Sequence, residues 1–146
     1  MKVKDIMRSQ VVSLHVGDTL DVVEDIMGMG HIRHLPVVDT DNRVVGILSQ
    51  RDLLRATASS VLSLPQDKEQ EWMHAIKVRD VMTPEVTTIS GEAGMAEAVD
   101  KLVTQKFGCL PVVDEQGKLA GLLTETDCLR CFHNLLKMRT FQDGLL

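Results

Sequence analysis

The sequence lacks most features that mark a secreted or membrane-spanning protein. Its three cysteines are an odd number, which favours a reducing compartment over a framework of disulfides. No apolar run approaches the roughly 18 residues that a membrane-spanning helix requires. The opening residues, MKVKDIM, are charged where a secretory signal would be apolar. We therefore expect a cytoplasmic protein that does not associate with a membrane.

Aromatic residues and excess positive charge are also scarce. The net charge is -5 at pH 7, whereas non-specific binding to nucleic acid depends on clustered lysine and arginine. One tryptophan, three phenylalanines and no tyrosine leave little from which to build a platform for stacked bases. We expect no nucleic-acid partner, and any base that this protein binds must lie mostly between aliphatic side chains.

The chain does contain an internal duplication. A shift of 75 residues aligns KVKDIM at Lys2 with KVRDVM at Lys77. The same shift aligns LPVVD at Leu35 with LPVVD at Leu110. Self-similarity in one fixed register predicts two copies of one structural unit.

The duplication predicts the domain organisation. Repeat 1 occupies residues 1–58, a connector occupies 59–76, and repeat 2 with a C-terminal helical tail occupies 77–146. A unit of about 55 residues buries too little surface to be stable alone, so we expect the repeats to share a core about a pseudo-two-fold axis. Pro65 interrupts the connector, and the charged stretch after it predicts a helix that docks on the body.

Within each copy the apolar periodicity predicts an α/β unit of βαββα type. In repeat 1, Asp18 stands where a helix N-cap belongs, and Leu20, Val23 and Met27 follow at helical spacing. Two apolar strands separated by turn residues come next, and a closing helix completes the unit. In repeat 2 we expect this closing helix to continue to about Met138.

One motif occurs in both copies, as GILSQRD from Gly46 to Asp52 and as GLLTETD from Gly121 to Asp127. A hydroxyl residue followed three positions later by an acid is typical of a helix capping box. The same residues suit a nucleotide, because a helix N-terminus attracts phosphate and an aspartate accepts hydrogen bonds from ribose hydroxyls. From the residues alone, both interpretations stay open.

The repeated phrases KDIM, HLPVVD and GILSQRD, then RDVM, CLPVVD and GLLTETD, resemble a tandem pair of CBS domains, the Bateman module. The resemblance covers essentially the whole chain and is greatest to the CBS region of acetoin-utilisation-type CBS proteins. It implies an α/β fold of two βαββα repeats, with clefts between them that bind adenosine-containing nucleotides of the AMP, ADP and ATP class. The nucleotide would be a regulatory ligand, with no cofactor required. A homodimer and an effector protein acting in trans are the implied partners.

The resemblance also assigns roles to the repeated motif. It implies that the hydroxyls of Ser49 and Thr124 approach a phosphate, and that Asp52 and Asp127 hold a ribose. These four residues are the main candidate ligand contacts.

The residues around the two motifs differ between the copies. Arg33 and His34 match positions at which some nucleotide-sensing relatives bind phosphates, while the second copy reads FGC from Phe107. Arg51 adds a positive charge inside the first motif, and Phe107 completes the candidate ligand contacts. We expect the first site to bind nucleotide phosphates more tightly, and the second to be weak or to favour a less charged adenosine ligand. The alternative is that Arg33 and His34 are surface residues beside an edge strand.

The remaining clusters predict no metal site and no catalytic residues. Cys128 and Cys131 form a C-x-x-C motif, but a zinc site would need two further ligands and no second pair exists. His31 and His34 stand three positions apart, yet Pro36 indicates that His34 lies in extended chain, where helical spacing brings no ligands together.

Three functions are compatible with these residues. The first is a regulatory module that binds nucleotide and has no chemistry of its own. The second is a structural dimerisation scaffold with vestigial clefts. The third is an enzyme that acts on the nucleotide, against which stands the lack of any nucleophile and base that recur together.

Overall fold

A computed structural model describes residues 1–61 and 68–144 of the chain. The predicted break at Pro65 lies outside the described residues. The elements, in chain order, are α1 (Val3–Ile6), β1 (Leu14–His15), α2 (Leu20–Gly30), β2 (His34–Val38), β3 (Val44–Ser49), α3 (Gln50–Val61), α4 (Glu69–Ala75), a 3-10 helix (Val78–Asp80), β4 (Thr83–Pro84), β5 (Ile89–Ser90), α5 (Met95–Gln105), β6 (Cys109–Val113), β7 (Leu119–Thr124) and α6 (Glu125–Asp143). No helix in this part of the chain is both long and apolar enough to cross a bilayer.

The chain forms two compact units that do not follow chain order. The N-repeat unit consists of Val12–Val86 and Gln116–Leu119, and the C-repeat unit consists of Met1–Val11, Thr87–Glu115 and Ala120–Leu146. Each copy of the duplication therefore gives its opening segment to the unit built on the other copy. The repeat boundaries predicted at residues 58 and 76 divide the sequence rather than the compact units, and they stay a prediction.

Both units are α/β, as the sequence predicts. The N-repeat unit has a four-stranded sheet in the order β1-β2-β3-β4, in which β1 is parallel to β2 and the other neighbours are antiparallel. The C-repeat unit has a three-stranded sheet in the order β5-β6-β7, in which β5 is parallel to β6. In each unit a closing helix starts directly after the last strand of the motif, at Gln50 and at Glu125.

Each unit has its own apolar core, built from one face of its helices and the inner faces of its strands. In α2 the buried residues recur at helical spacing, and burial of each such side chain stabilises the fold by about 1.5–3 kcal/mol. The N-repeat core contains Leu14, Leu20, Val23, Met27, Leu35, Val37, Leu48, Leu53, Met73 and Val78. The C-repeat core contains Val3, Ile89, Ala98, Leu102, Leu110, Val112 and Leu123. Because Met73 of α4 is 2% exposed, this connector helix packs against the N-repeat core.

The exchanged segments lie against the glycines of the repeated motif. In the N-repeat unit β4 pairs with β3, so that Thr83 faces Ile47 and Pro84 faces Gly46. In the C-repeat unit Arg8 forms the equivalent bridge with Leu122, through two backbone hydrogen bonds of 2.9 Å. The glycine gives each segment room to approach the strand.

Two predicted helix ends are corrected by the structure. The N-cap of α2 is Thr19 rather than Asp18, because the carboxylate of Asp18 accepts a hydrogen bond from the amide of His15 and belongs to the preceding turn. Helix α6 runs to Asp143 rather than to Met138, because no glycine or proline interrupts it before Gly144.

Candidate functional site

The repeated motif lies at a strand–helix junction in each unit, and in the N-repeat unit it forms a capping box. The amide and the hydroxyl of Ser49 both donate to Oδ2 of Asp52 over 2.9 Å, and the amide of Asp52 donates back to Oγ of Ser49 over 3.2 Å. This arrangement satisfies backbone groups that the first turn of α3 cannot pair internally. The structural interpretation of the motif is therefore confirmed here.

The C-repeat junction repeats this geometry. The amide and hydroxyl of Thr124 donate to Oδ2 of Asp127 over 3.0 and 2.8 Å, and the amide of Asp127 donates to Oγ1 of Thr124 over 3.2 Å. In both junctions the hydroxyl hydrogen is directed at the carboxylate. Either hydroxyl must therefore rotate away from its aspartate before it can donate to a phosphate.

The two aspartates differ at their second oxygen. Oδ1 of Asp127 lies 3.2 Å from Nε of Arg8 and 3.5 Å from Nη1 of Arg130, and the Asp127 side chain is 3% exposed. Asp52 is half-buried, and within residues 1–61 and 68–144 no hydrogen bond or ion pair reaches its Oδ1. The N-repeat junction thus keeps an open carboxylate oxygen that the C-repeat junction does not.

The basic residues predicted to bind phosphate adjoin the N-repeat junction. The carbonyl of Arg33 accepts the first amide of α3, from Gln50, over 2.8 Å, and His34 is the strand partner of Ser49. Arg33 and Arg51 are exposed, and His34 is half-buried. The structure therefore brings the basic pair of the first copy to the capping box.

The equivalent backbone contact exists in the C-repeat unit, but with no basic residue at the positions that align with Arg33 and His34. The carbonyl of Gly108 accepts the amide of Glu125 over 3.2 Å, and Cys109 is buried at the start of β6. Phe107 is half-buried and packs against the C-repeat core. A ligand contact by Phe107 stays a prediction.

A small open pocket adjoins Asp127 in the C-repeat unit. Its volume is about 150 Å³, which is half the lower end of the range of about 300–1,000 Å³ for small-molecule sites. The residues that line it are Asp5, Ile6, Asp127, Arg130, Cys131 and Asn134. In this geometry the pocket has no room for a whole nucleotide.

Arg8 contacts Asp127 although no sequence motif indicates it. The residue lies 119 positions from Asp127 in the chain, and its backbone bridge to Leu122 places it there. A signal was available, because the shift of 75 residues aligns Arg8 with Thr83 and so shows a charge in one copy only.

The cysteines do not converge on a reactive centre. Burial raises the pKa of the Cys109 thiol to about 12, with a further contribution from Glu125. Burial also raises the pKa of Cys128, and Sγ of Cys131 lies 3.5 Å from Sδ of Met1. Across the described part of the chain, no three His, Cys, Asp or Glu side chains are grouped as metal ligands would be.

His31, with φ of 50°, ends α2 in the left-handed region.

Comparison with known proteins identifies a single family across the chain. The model of the CBS domain matches twice, at residues 3–59 and 78–134. A crystal structure from Vibrio cholerae, described as an acetoin utilization protein, is 33% identical, has a TM-score of 0.83, and covers 96% of this chain and 97% of its own.

Two further structures were solved with adenosine compounds bound. The structure of CBSX2 in complex with AMP is 27% identical, has a TM-score of 0.77, and covers 92% of this chain and 97% of its own. The CBS domain pair of protein MJ0100, in complex with 5′-methylthioadenosine and S-adenosyl-L-methionine, is 25% identical, has a TM-score of 0.76, and covers 90% and 99%. Relatives that are enzymes, homoserine O-acetyltransferases and inosine-5′-monophosphate dehydrogenases, match over only 18–23% of their own length.

Proposed function

Because the chain belongs to the CBS domain family as a tandem pair of repeats, we propose that it is a non-catalytic regulatory module that binds adenosine-containing ligands of the AMP, ADP and ATP class at its strand–helix junctions. Similar CBS pairs bind AMP or S-adenosyl-L-methionine, which supports this ligand class. Enzymes share with this chain only a minor part of their length, which supports a module without chemistry of its own.

The open oxygen of Asp52 is the observation that carries the proposal. A carboxylate oxygen can accept hydrogen bonds from the two hydroxyls of a ribose, and Oδ2 alone maintains the capping box. Asp52 can therefore hold a ribose through Oδ1 while α3 keeps its cap. Ribose binding and helix capping therefore use different oxygens of Asp52.

The phosphate of the ligand would lie at the N-terminus of α3. Backbone amides of the first turn and the helix dipole favour an anion there. Arg33, His34 and Arg51 supply positive or protonatable groups within two residues of the capping box, in sequence or in strand register. Ser49 contributes its hydroxyl once this group has turned from Asp52.

We expect the N-repeat junction to bind phosphate-bearing ligands more tightly than the C-repeat junction. Charge-assisted hydrogen bonds contribute about 1.5–3 kcal/mol each when they are desolvated. Because Arg33 and Arg51 are exposed, their contribution falls toward the lower end, which corresponds to about tenfold in affinity. The second copy has no basic residue at the positions of Arg33 and His34.

Titration calorimetry of AMP into wild type, Asp52→Ala and Asp127→Ala tests this assignment. We expect the tighter site to vanish in Asp52→Ala and to persist in Asp127→Ala. Each variant loses one capping box, worth about 1 kcal/mol, and Asp127→Ala also loses the ion pairs with Arg8 and Arg130, so the folding of both variants is checked by thermal unfolding before the titration. Loss of the tighter site in Asp127→Ala would contradict the assignment.

The exposed apolar face of α6 favours self-association, which a dimerisation scaffold would also show. Leu129, Phe132 and Leu136 are 67%, 58% and 48% exposed, at a spacing that places them along one side of the helix. We propose a homodimer that contacts an effector protein in trans. The molecular mass measured by light scattering tests the homodimer. A melting temperature that AMP, ADP, ATP, S-adenosylmethionine and NAD all leave unchanged would favour the scaffold over the ligand-binding module.

A further inference from the structure

Both oxygens of the Asp127 carboxylate are engaged, by three hydrogen bonds and an ion pair. A carboxylate offers about four lone-pair sites on its two oxygens. Two sites on Oδ2 accept the amide and hydroxyl of Thr124, and Oδ1 accepts Nε of Arg8 while Arg130 lies 3.5 Å away. A ribose hydroxyl that approaches Oδ1 therefore meets an arginine that already donates to it.

Arg8 is the element that distinguishes this junction from the other. Arg130 aligns with Arg55, so an arginine follows the motif in both copies, whereas Arg8 aligns with Thr83. The backbone positions are equivalent, since Arg8 bridges Leu122 as Thr83 bridges Ile47. At this backbone position the copies thus differ by one side chain.

We infer that Arg8 competes with the ribose hydroxyls of an adenosine ligand for Asp127, and so lowers the affinity of the C-repeat junction. This inference rests on the proposed function. The Arg8 side chain is 57% exposed, so it can leave the aspartate without a large loss of buried contacts. Arg8 acts as a specificity-determining residue, because a ligand binds here only when its contacts outweigh the ion pair that it breaks.

The probe that isolates this effect is adenosine, which carries no phosphate for an arginine to attract. Its binding is measured by calorimetry in an Asp52→Ala background, in which the heat reports the C-repeat junction. The test variant is Arg8→Thr, which installs the residue of the other copy and leaves the backbone bridge in place. Arg79→Thr is the matched control, because Arg79 is also exposed and its replacement removes one positive charge from the N-repeat unit.

We expect Arg8→Thr to raise the affinity for adenosine about fivefold, the factor that corresponds to the loss of one ion pair whose arginine is exposed. Added salt should raise adenosine affinity in the Arg8 protein, because it screens the competing pair, and should raise it less in Arg8→Thr, in which only Arg130 still faces Asp127. A purely structural role for Arg8 would show no such salt dependence. The reciprocal Thr83→Arg change, in a chain with Asp52 intact and Asp127→Ala, should weaken binding at the N-repeat junction by a similar factor.

The possible outcomes separate the two proposals. Unchanged or weaker adenosine binding in Arg8→Thr, with binding intact at the N-repeat junction, would overturn the role of Arg8 alone. Weaker binding would show that Arg8 holds the ligand rather than competing with it. If neither wild type nor any variant bound adenosine or AMP, the proposed function would fail and the competition with it.

Discussion

Alanine at the glycine of either motif should destabilise the protein. A Cβ atom on Gly46 would lie 2.6 Å from Sδ of Met82 and 2.9 Å from the carbonyl oxygen of Thr83. A Cβ atom on Gly121 would lie 2.6 Å from Sδ of Met7 and 2.7 Å from the carbonyl oxygen of Arg8. The methionine ends can move, but the carbonyls belong to backbone segments that are paired with the strand.

The cost follows from moving those paired segments. At Gly121 the carbonyl of Arg8 accepts the amide of Leu122, so relief of the clash stretches a backbone hydrogen bond of 2.9 Å. Overpacking costs about 1–3 kcal/mol, and a weakened hydrogen bond adds about 1 kcal/mol. We expect Gly46→Ala and Gly121→Ala each to lower the free energy of unfolding by about 2–3 kcal/mol.

Gly28 provides the matched control. It lies inside α2 and is exposed, and a Cβ atom on it would meet nothing within 4 Å. Alanine there should raise the free energy of unfolding by about 0.5–1 kcal/mol, because it removes the entropic cost of a helical glycine. Urea unfolding followed by circular dichroism measures all three variants. If the two motif alanines were as stable as wild type, the close approach of the exchanged segments would not be the reason for these glycines.

Two further predictions concern titratable groups. With the pKa of Cys109 near 12 rather than 9.0, its thiolate at pH 8 is about a thousandfold rarer, so iodoacetamide should modify it only after unfolding. For the same reason the native state should lose stability as pH rises from 9 toward 12. Rapid alkylation of native Cys109, located by mass spectrometry, would contradict this. Hydrogen bonds from the hydroxyl of Thr19 and, to a smaller extent, from His74 lower the pKa of the Asp21 carboxyl to about 2. These contacts therefore stabilise the native state fully above about pH 3.8, and that stabilisation is lost as the pH falls through 2. Thr19→Val should raise that pKa more than His74→Ala does, as NMR titration of the carboxyl carbon will show, and the reverse order would refute the assignment.

Local patterns predicted most of the elements that carry the site. The alternation of apolar residues and the hydroxyl–acid spacing were sufficient to place both strand–helix junctions, and both capping boxes are present. The start of α2 was misplaced by one residue, because Asp18 and Thr19 are both good caps and only the contact of Asp18 with His15 separates them. The length of α6 was underestimated, because its second half is exposed and no packing against the core marks where it ends.

Contacts between distant parts of the chain could not be predicted in the same way. No local signal shows that residues 1–11 join the unit of the second copy, because the sequence of an opening segment does not depend on the unit against which it packs. The partner of Asp127 was missed for this reason, since Arg8 reaches it only through the exchanged segment. The duplication itself holds the clue, because any charge present in one copy alone marks a place where the two sites differ.

The capping and ligand-binding interpretations of the motif do not exclude each other, because they use different oxygens of one carboxylate. In both units Oδ2 closes the capping box, so loss of the aspartate always costs helix stability. Only Oδ1 differs, open at Asp52 and paired with arginine at Asp127. Since the duplicated backbone is the same at both junctions, the folding role is common to the copies. On our proposal, the side chain at position 8 or 83 then decides how readily each junction accepts a ribose.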